Sequence, residues 1–120
     1  MPKATPDQAT FPSWSEVSRY GVNILNPGDT VELHFHDCNE FWIIIEGKGI
    51  ATSEGVSYNL GPGDMLLTKQ GDEHSLRVTE TMVAVYFYGI MPPDGRTGHL
   101  HRDTDSSFME FKAQNSEVKS

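Results

Sequence analysis

The sequence predicts an all-β sandwich or barrel, and three observations predict it. Between about residues 14 and 88, apolar and polar side chains alternate in short runs, Gly and Pro clusters punctuate the runs, and no run keeps a helical apolar period over a useful length. Such a pattern encodes strands with a two-residue side-chain period joined by Gly and Pro turns. A chain of 120 residues suits one domain with a core of its own.

Taken in order, residues 1–13 carry Pro2, Pro6 and Pro12 among small polar residues, a composition that cannot bury enough surface to order itself. A flexible arm is expected there. The domain is expected over 14–111, with its core over 22–88. Residues 14–25 become extended, with Val22 and Ile24 alternating against Asn23, and Asn26, Pro27, Gly28 and Asp29 form a turn. The next strand, 30–36, puts Glu32, His34 and His36 on one face and Val31, Leu33 and Phe35 on the other. A polar turn of Asp37, Cys38 and Asn39 leads into 40–46, where Glu40, Trp42 and Ile44 oppose Phe41, Ile43 and Ile45.

Residues 46–49 are expected to turn the chain into a strand over 50–53, and Glu54-Gly55 reads as a tight hairpin turn with 56–60 as the partner strand. Gly61, Pro62, Gly63 and Asp64 turn again before a short apolar strand, 65–68. A polar loop, 69–73, then delivers His74 to the head of a strand over 74–79. After Glu80 and Thr81, residues 82–88 are the most strand-like of the chain, with valines and aromatics throughout. The apolar pattern stops over 89–107, and so long a loop in so small a domain suggests a lid or plain disorder. Phe108, Met109 and Phe111 are expected to add an edge strand or dock on a partner, and 112–120 to fray.

Composition narrows the partners. A formal charge of −8 argues against nucleic acid, whose recognition rests on a basic surface, and against anionic membranes for the same reason. The one cysteine, Cys38, excludes an intramolecular disulfide and fits a reducing compartment. No apolar run near the N-terminus could serve as a signal peptide and no stretch approaches the ~18 apolar residues of a membrane span. A cytoplasmic location is the expectation.

The chemistry is concentrated between Gly28 and Gly47. If the turn at 37–39 folds the second strand back on the first, the Glu40 carboxylate meets the imidazoles of His34 and His36, and a divalent metal is the usual reason to gather such groups. The spacing itself is recognisable. Gly28, five residues, His34, one residue, His36, three residues, Glu40, six residues, Gly47 resembles the first motif of the cupin superfamily at every defining position. Gly63, five residues, Lys69, one residue, Gly71, two residues, His74, three residues, Val78 resembles the second, with Lys69 and Val78 standing where the family usually has proline and asparagine.

The resemblance implies a double-stranded β-helix, a jelly-roll barrel with a metal near one mouth. It implies four metal ligands, His34, His36, Glu40 and His74, holding one ion per chain: iron, manganese, zinc, nickel or cobalt. It also implies a homodimer that buries apolar residues of the outer sheet. Three neutral imidazoles and one carboxylate would leave a divalent ion with a net charge near +1 and, if octahedral, two open positions for a small oxygenated molecule.

Around this set, Tyr86 and Tyr88 share a face of their strand and are candidates for the cavity wall, as substrate-binding and catalytic groups, with the outer sheet or a dimer contact as the alternative. Trp42 shares the face of Glu40 and is a candidate substrate wall, with ordinary barrel filling as the alternative. Glu32 shares the face of the two histidines and is a candidate general base, with a solvated strand-end carboxylate as the alternative. Lys69 reads as a solvated loop lysine or a rim charge, and Cys38 as a passive small residue. His99, His101, Asp103 and Asp105 form a second metal-like cluster without a strand framework, read as a mobile loop or a lid.

Two classes of function fit. One is a metal-dependent enzyme acting on a small sugar, keto acid or diol, in isomerase, epimerase or lyase chemistry, or in dioxygenase chemistry with ferrous iron. The other is a sensing or binding module that holds a ligand without turning it over. Nothing after Tyr88 has the helical period or basic charge of a DNA-binding domain, which favours the enzyme.

Overall fold

The structure, a computed structural model, describes residues 3–6 and 11–102. Six strands follow in order: β1 (Arg19–Leu25), β2 (Thr30–His34), β3 (Glu40–Ser53), β4 (Val56–Leu60), β5 (Met65–Thr68) and β6 (His74–Tyr88). Every pairing is antiparallel, and the described residues contain no helix.

Two long strands, β3 and β6, pair with each other along their length and belong to both walls of the barrel. The first half of β3 and the second half of β6 are flanked by β5 and β1, giving the wall β1-β6-β3-β5. Their other halves are flanked by β4 and β2, giving the wall β2-β6-β3-β4. The two walls face each other as a double-stranded β-helix. Between them lies the apolar core of Trp42, Ile44, Ala51, Leu60, Leu76, Val78, Met82 and Ala84. Burying a side chain such as Ile44 or Met82 stabilises the fold by about 1.5–3 kcal/mol.

Two expected breaks are absent. The chain does not turn at 46–49 or end a strand at Glu80; β3 and β6 run through both places. The polar and glycine residues there mark bulges instead, since the β3 to β6 register slips between Ile44 and Glu46, between Glu46 and Lys48, and between Lys48 and Gly49. Bulges bend a strand without ending it, and these lie where one wall gives way to the other. Gly47 is required at this bend: its φ is +88°, and a Cβ would run into the Thr81 carbonyl of β6.

The turns at the other places are as expected. Ser53 pairs with Val56 around the two-residue turn Glu54-Gly55, and Asp64 closes its turn on Gly61 through both its amide and its carboxylate. Near the N-terminus, the Tyr20 hydroxyl donates to the Ala4 carbonyl (3.1 Å) and the Phe11 ring meets the Tyr20 ring edge-on. The expected edge strand at 108–111, the expected fraying over 112–120, and Asp103 and Asp105 lie outside the described residues.

The outer face of the wall β1-β6-β3-β5 is apolar in continuous rows. One row runs Val22, Val85, Ile43, Met65 and the next runs Tyr20, Phe87, Phe41, Leu67, four strands wide. Val22, Ile24, Ile45, Met65 and Leu67 are all exposed. On β1, Val22 and Ile24 therefore face outward, while Leu25 packs against the core and Asn23 faces the barrel interior.

Candidate metal centre

His34 ends β2 and His36 lies two residues beyond it, where the pairing is no longer regular. The pairing of β2 with β6 slips between Val31 and His34, and Phe35 leaves the sheet to form an isolated bridge with Leu100. The slip turns Val31 rather than Glu32 toward the interior, where Val31 and His34 line one cavity. Glu32 thus departs from expectation: its carboxylate is not among the cavity-lining groups, and what it gives the site is its main-chain carbonyl.

That carbonyl accepts a hydrogen bond from His34 Nδ1 at 2.6 Å. His36 Nδ1 donates to the Gly98 carbonyl (2.9 Å) and His74 Nδ1 to the Asp72 carbonyl (3.3 Å). A carbonyl can only accept, so all three Nδ1 atoms carry hydrogen, and in the neutral ring that binds a metal the lone pair is then on Nε2. These converge. His34 Nε2 lies 3.2 Å from His36 Nε2, and Glu40 Oε1 lies 3.2 Å from His36 Nε2 and 3.0 Å from His74 Nε2. One ligand atom from each of His34, His36, Glu40 and His74 falls within 4.8 Å of every other, and all four residues are buried.

Lone pairs gathered this closely repel one another unless a cation lies among them. Burial, followed by the charge of His74, pushes the His34 imidazole down to about 3, so a proton does not fill that role on His34 near neutral pH. Glu40 is subject to burial, which opposes its charge, but the His36 and His74 imidazoles beside it outweigh burial and hold the carboxyl well below its usual range. The donor set therefore fits a divalent metal: three oriented imidazoles, one carboxylate and a shell of carbonyls that fixes the ring tautomers.

The cavity beside the four residues has a volume of about 240 Å³. His34, Glu40 and His74 form one side of it; Trp42, Tyr86 and Tyr88 form another, with Asn23, Leu66 and His99 completing the wall. The Tyr86 ring lies 5.9 Å from the Trp42 ring and 5.6 Å from the Tyr88 ring, centre to centre. Burial first, and the Glu40 charge second, hold the Tyr88 hydroxyl well above the usual phenol range, so it is a hydrogen-bond donor at neutral pH. Tyr86 owes its place to a glycine on the neighbouring strand: a Cβ on Gly21 would stand 2.5 Å from the Tyr86 hydroxyl oxygen.

Several participants were not foreseen as such. Asn23 was passed over between two apolar neighbours, and the Gly98 carbonyl carries no sequence signal at all. His99 was noted, but as part of a separate cluster; its ring stacks on His34 with centres 3.8 Å apart and planes 16° apart. Burial and then His36 hold it below the ordinary imidazole range. His101 is buried, with Nδ1 donating to the Leu33 carbonyl (3.0 Å). Cys38 is buried and its thiol is pushed up to about 11, by burial and then by Glu40, which makes it inert. Lys69 is exposed and lies outside the cavity lining.

Comparison with known proteins agrees with this geometry. The profile of the family described as "Cupin domain" matches residues 21–91, more than half of the chain. The chain belongs to the cupin domain family. A curated relative, an uncharacterized protein of Sinorhizobium fredii, is 35% identical over 72 residues, which are 59% of this cupin and 33% of the relative. The chain thus matches about a third of that relative's length. Among solved structures, a predicted oxalate decarboxylase from Thermotoga maritima superposes with a TM-score of 0.58 at 23% identity, over 63% of this chain and 69% of the other. Oxalate decarboxylase of Bacillus subtilis, a protein with Mn(II) centres, superposes with a TM-score of 0.54 at 26% identity, over 58% of this cupin and 20% of that chain.

Proposed function

We propose that this cupin is a metal-dependent enzyme acting on a small oxygenated metabolite such as a sugar, keto acid or diol. One observation carries the reading: three imidazole Nε2 atoms and a carboxylate converge at the wall of a cavity about 240 Å³ in volume, with each Nδ1 hydrogen already committed to a main-chain carbonyl. The Mn(II) centres of the B. subtilis decarboxylase support a metal of this kind. A bound divalent ion would supply Lewis-acid chemistry, of the isomerase, epimerase or lyase type, or dioxygen chemistry if it were ferrous iron.

The chain's own residues would do the rest. Trp42, Leu66 and Tyr86 exclude water and hold the body of the substrate, and the Tyr88 hydroxyl donates to a substrate oxygen on which charge develops. The charge of −8 supports a small-molecule partner over nucleic acid, and the lone free thiol of Cys38 supports a reducing, cytoplasmic setting. The apolar rows on the outer wall support a homodimer.

Oxygen uptake by the iron-loaded protein, measured over a panel of sugars, keto acids and diols alongside product analysis, tests the reading. Uptake selects the dioxygenase form, and turnover without uptake selects the isomerase or lyase form. Ligand binding without turnover of any compound would make the protein a sensing or storage module instead.

A further inference from the structure

The chain beyond β6 is fastened to the barrel at Gly89 and again from Arg96 onward. Gly89 donates its amide to the Asn39 carbonyl (2.8 Å) and accepts from Ser18 Oγ (2.6 Å). Arg96 meets the Asp37 carboxylate three times, through its amide (2.8 Å), Nε (2.7 Å) and Nη2 (3.1 Å). The Gly98 carbonyl takes the His36 hydrogen, and Phe35 and Leu100 exchange two main-chain hydrogen bonds of 2.9 Å. Arg102 donates to the Gly71 carbonyl (3.1 Å) and lies 3.1 Å from Glu73.

Apart from that one bridge the segment has no regular structure, so these fastenings set its path. His99 stands between two of them, at Gly98 and Leu100, made to His36 and Phe35 just after β2. Its ring is consequently laid against His34 and forms part of the cavity wall with Tyr88.

We propose that residues 89–102 build His99 into the wall of the ligand site, and that His99 contacts the ligand, hydrogen bonding to a compact oxygen chelator with a polar atom beyond its chelating pair. The inference rests on the metal reading given above. His99 is not one of the four residues whose ligand atoms converge, and its imidazole lines the cavity beside them. It adds an imidazole to a wall that holds the rings of Trp42, Tyr86 and Tyr88 beside the polar side chains of Asn23 and Ser75. That combination suits a planar oxygen chelator with one polar substituent, and the Asp37–Arg96 clasp is what holds the imidazole in place.

Titration of 4-nitrocatechol, a coloured bidentate chelator, into the cobalt-loaded full chain tests this, with metal content measured in parallel. The wild type is expected to shift the probe's visible absorbance. His99→Ala and His99→Phe are expected to keep their metal but bind the probe about tenfold more weakly, as for loss of a hydrogen bond to a charged ligand. His99→Gln should recover part of the loss, and Arg96→Ala should weaken binding to a similar degree.

The proposal is overturned if the metal-loaded wild type gives no shift, or if His99→Ala binds within about twofold of wild type. Loss of metal from His99→Ala overturns it as well, because the ring would then be supporting His34 rather than meeting the ligand. An Arg96→Ala protein that binds like wild type overturns the role of the clasp. A wild type that takes up no metal defeats the underlying reading, and its metal content separates that failure from the others.

Discussion

Three imidazoles, each giving its Nδ1 hydrogen to a main-chain carbonyl, are aimed before any ligand arrives. This arrangement has a signature in pH. The folded His34 titrates at about 3 against an ordinary value of 6.5, so between those limits the unfolded chain binds a proton that the folded chain does not. Stability present above pH 6.5 is therefore lost as pH falls toward 3, and Glu40, also depressed, adds to the loss at the acid end. Denaturation midpoints of the metal-free protein should fall between about pH 7 and pH 4, and His34→Ala should flatten that dependence. An unchanged slope in the variant would show that other groups set it.

The strands explain how these side chains meet. β3 and β6 each serve both walls, and the bulged bend at Gly47 lets one strand cross from wall to wall. Gly47→Ala forces a side chain toward the Thr81 carbonyl at a positive φ and should cost more than about 1 kcal/mol in a denaturant titration. Gly21→Ala acts differently, by pushing the Tyr86 ring inward. It should destabilise by about 1–3 kcal/mol and weaken binding of any cavity ligand, read by calorimetric titration.

Much of this was legible in the residues themselves. The glycine, histidine and glutamate spacing identified the four converging groups, and the alternation over 82–88 put Tyr86 and Tyr88 on one face, which in the structure lines the cavity. The length of β3 and β6 was not legible, because a glycine at a bulge and a glycine at a turn look alike in sequence. Glu32 was misplaced for a related reason: a period of two holds only while the register holds, and the slip between Val31 and His34 changes which residue turns inward. The part played by the chain beyond β6 rests on main-chain carbonyls and on the pairing of Asp37 with Arg96, 59 positions apart, neither of which any local pattern announces.

On the scale of the molecule, the contrast is between a strongly acidic chain and one wall whose outside is apolar across four strands. A single exposed leucine is ordinary, but contiguous rows of this width support the proposed homodimer. The protein is expected to run at twice the chain mass in light scattering, and Ile24→Asp, which puts a charge on that face, is expected to return it to one chain. A wild type that is monomeric at all concentrations would remove the second copy as the occupant of that face.

The convergence of His34, His36, Glu40 and His74 on one cation is tested most directly by elemental analysis of the purified protein beside its His74→Ala variant, with circular dichroism to confirm that both keep their strands. The expected result is close to one transition metal per chain in the wild type and far less in the variant. Equal metal in the two proteins, whether none or one per chain, would contradict it.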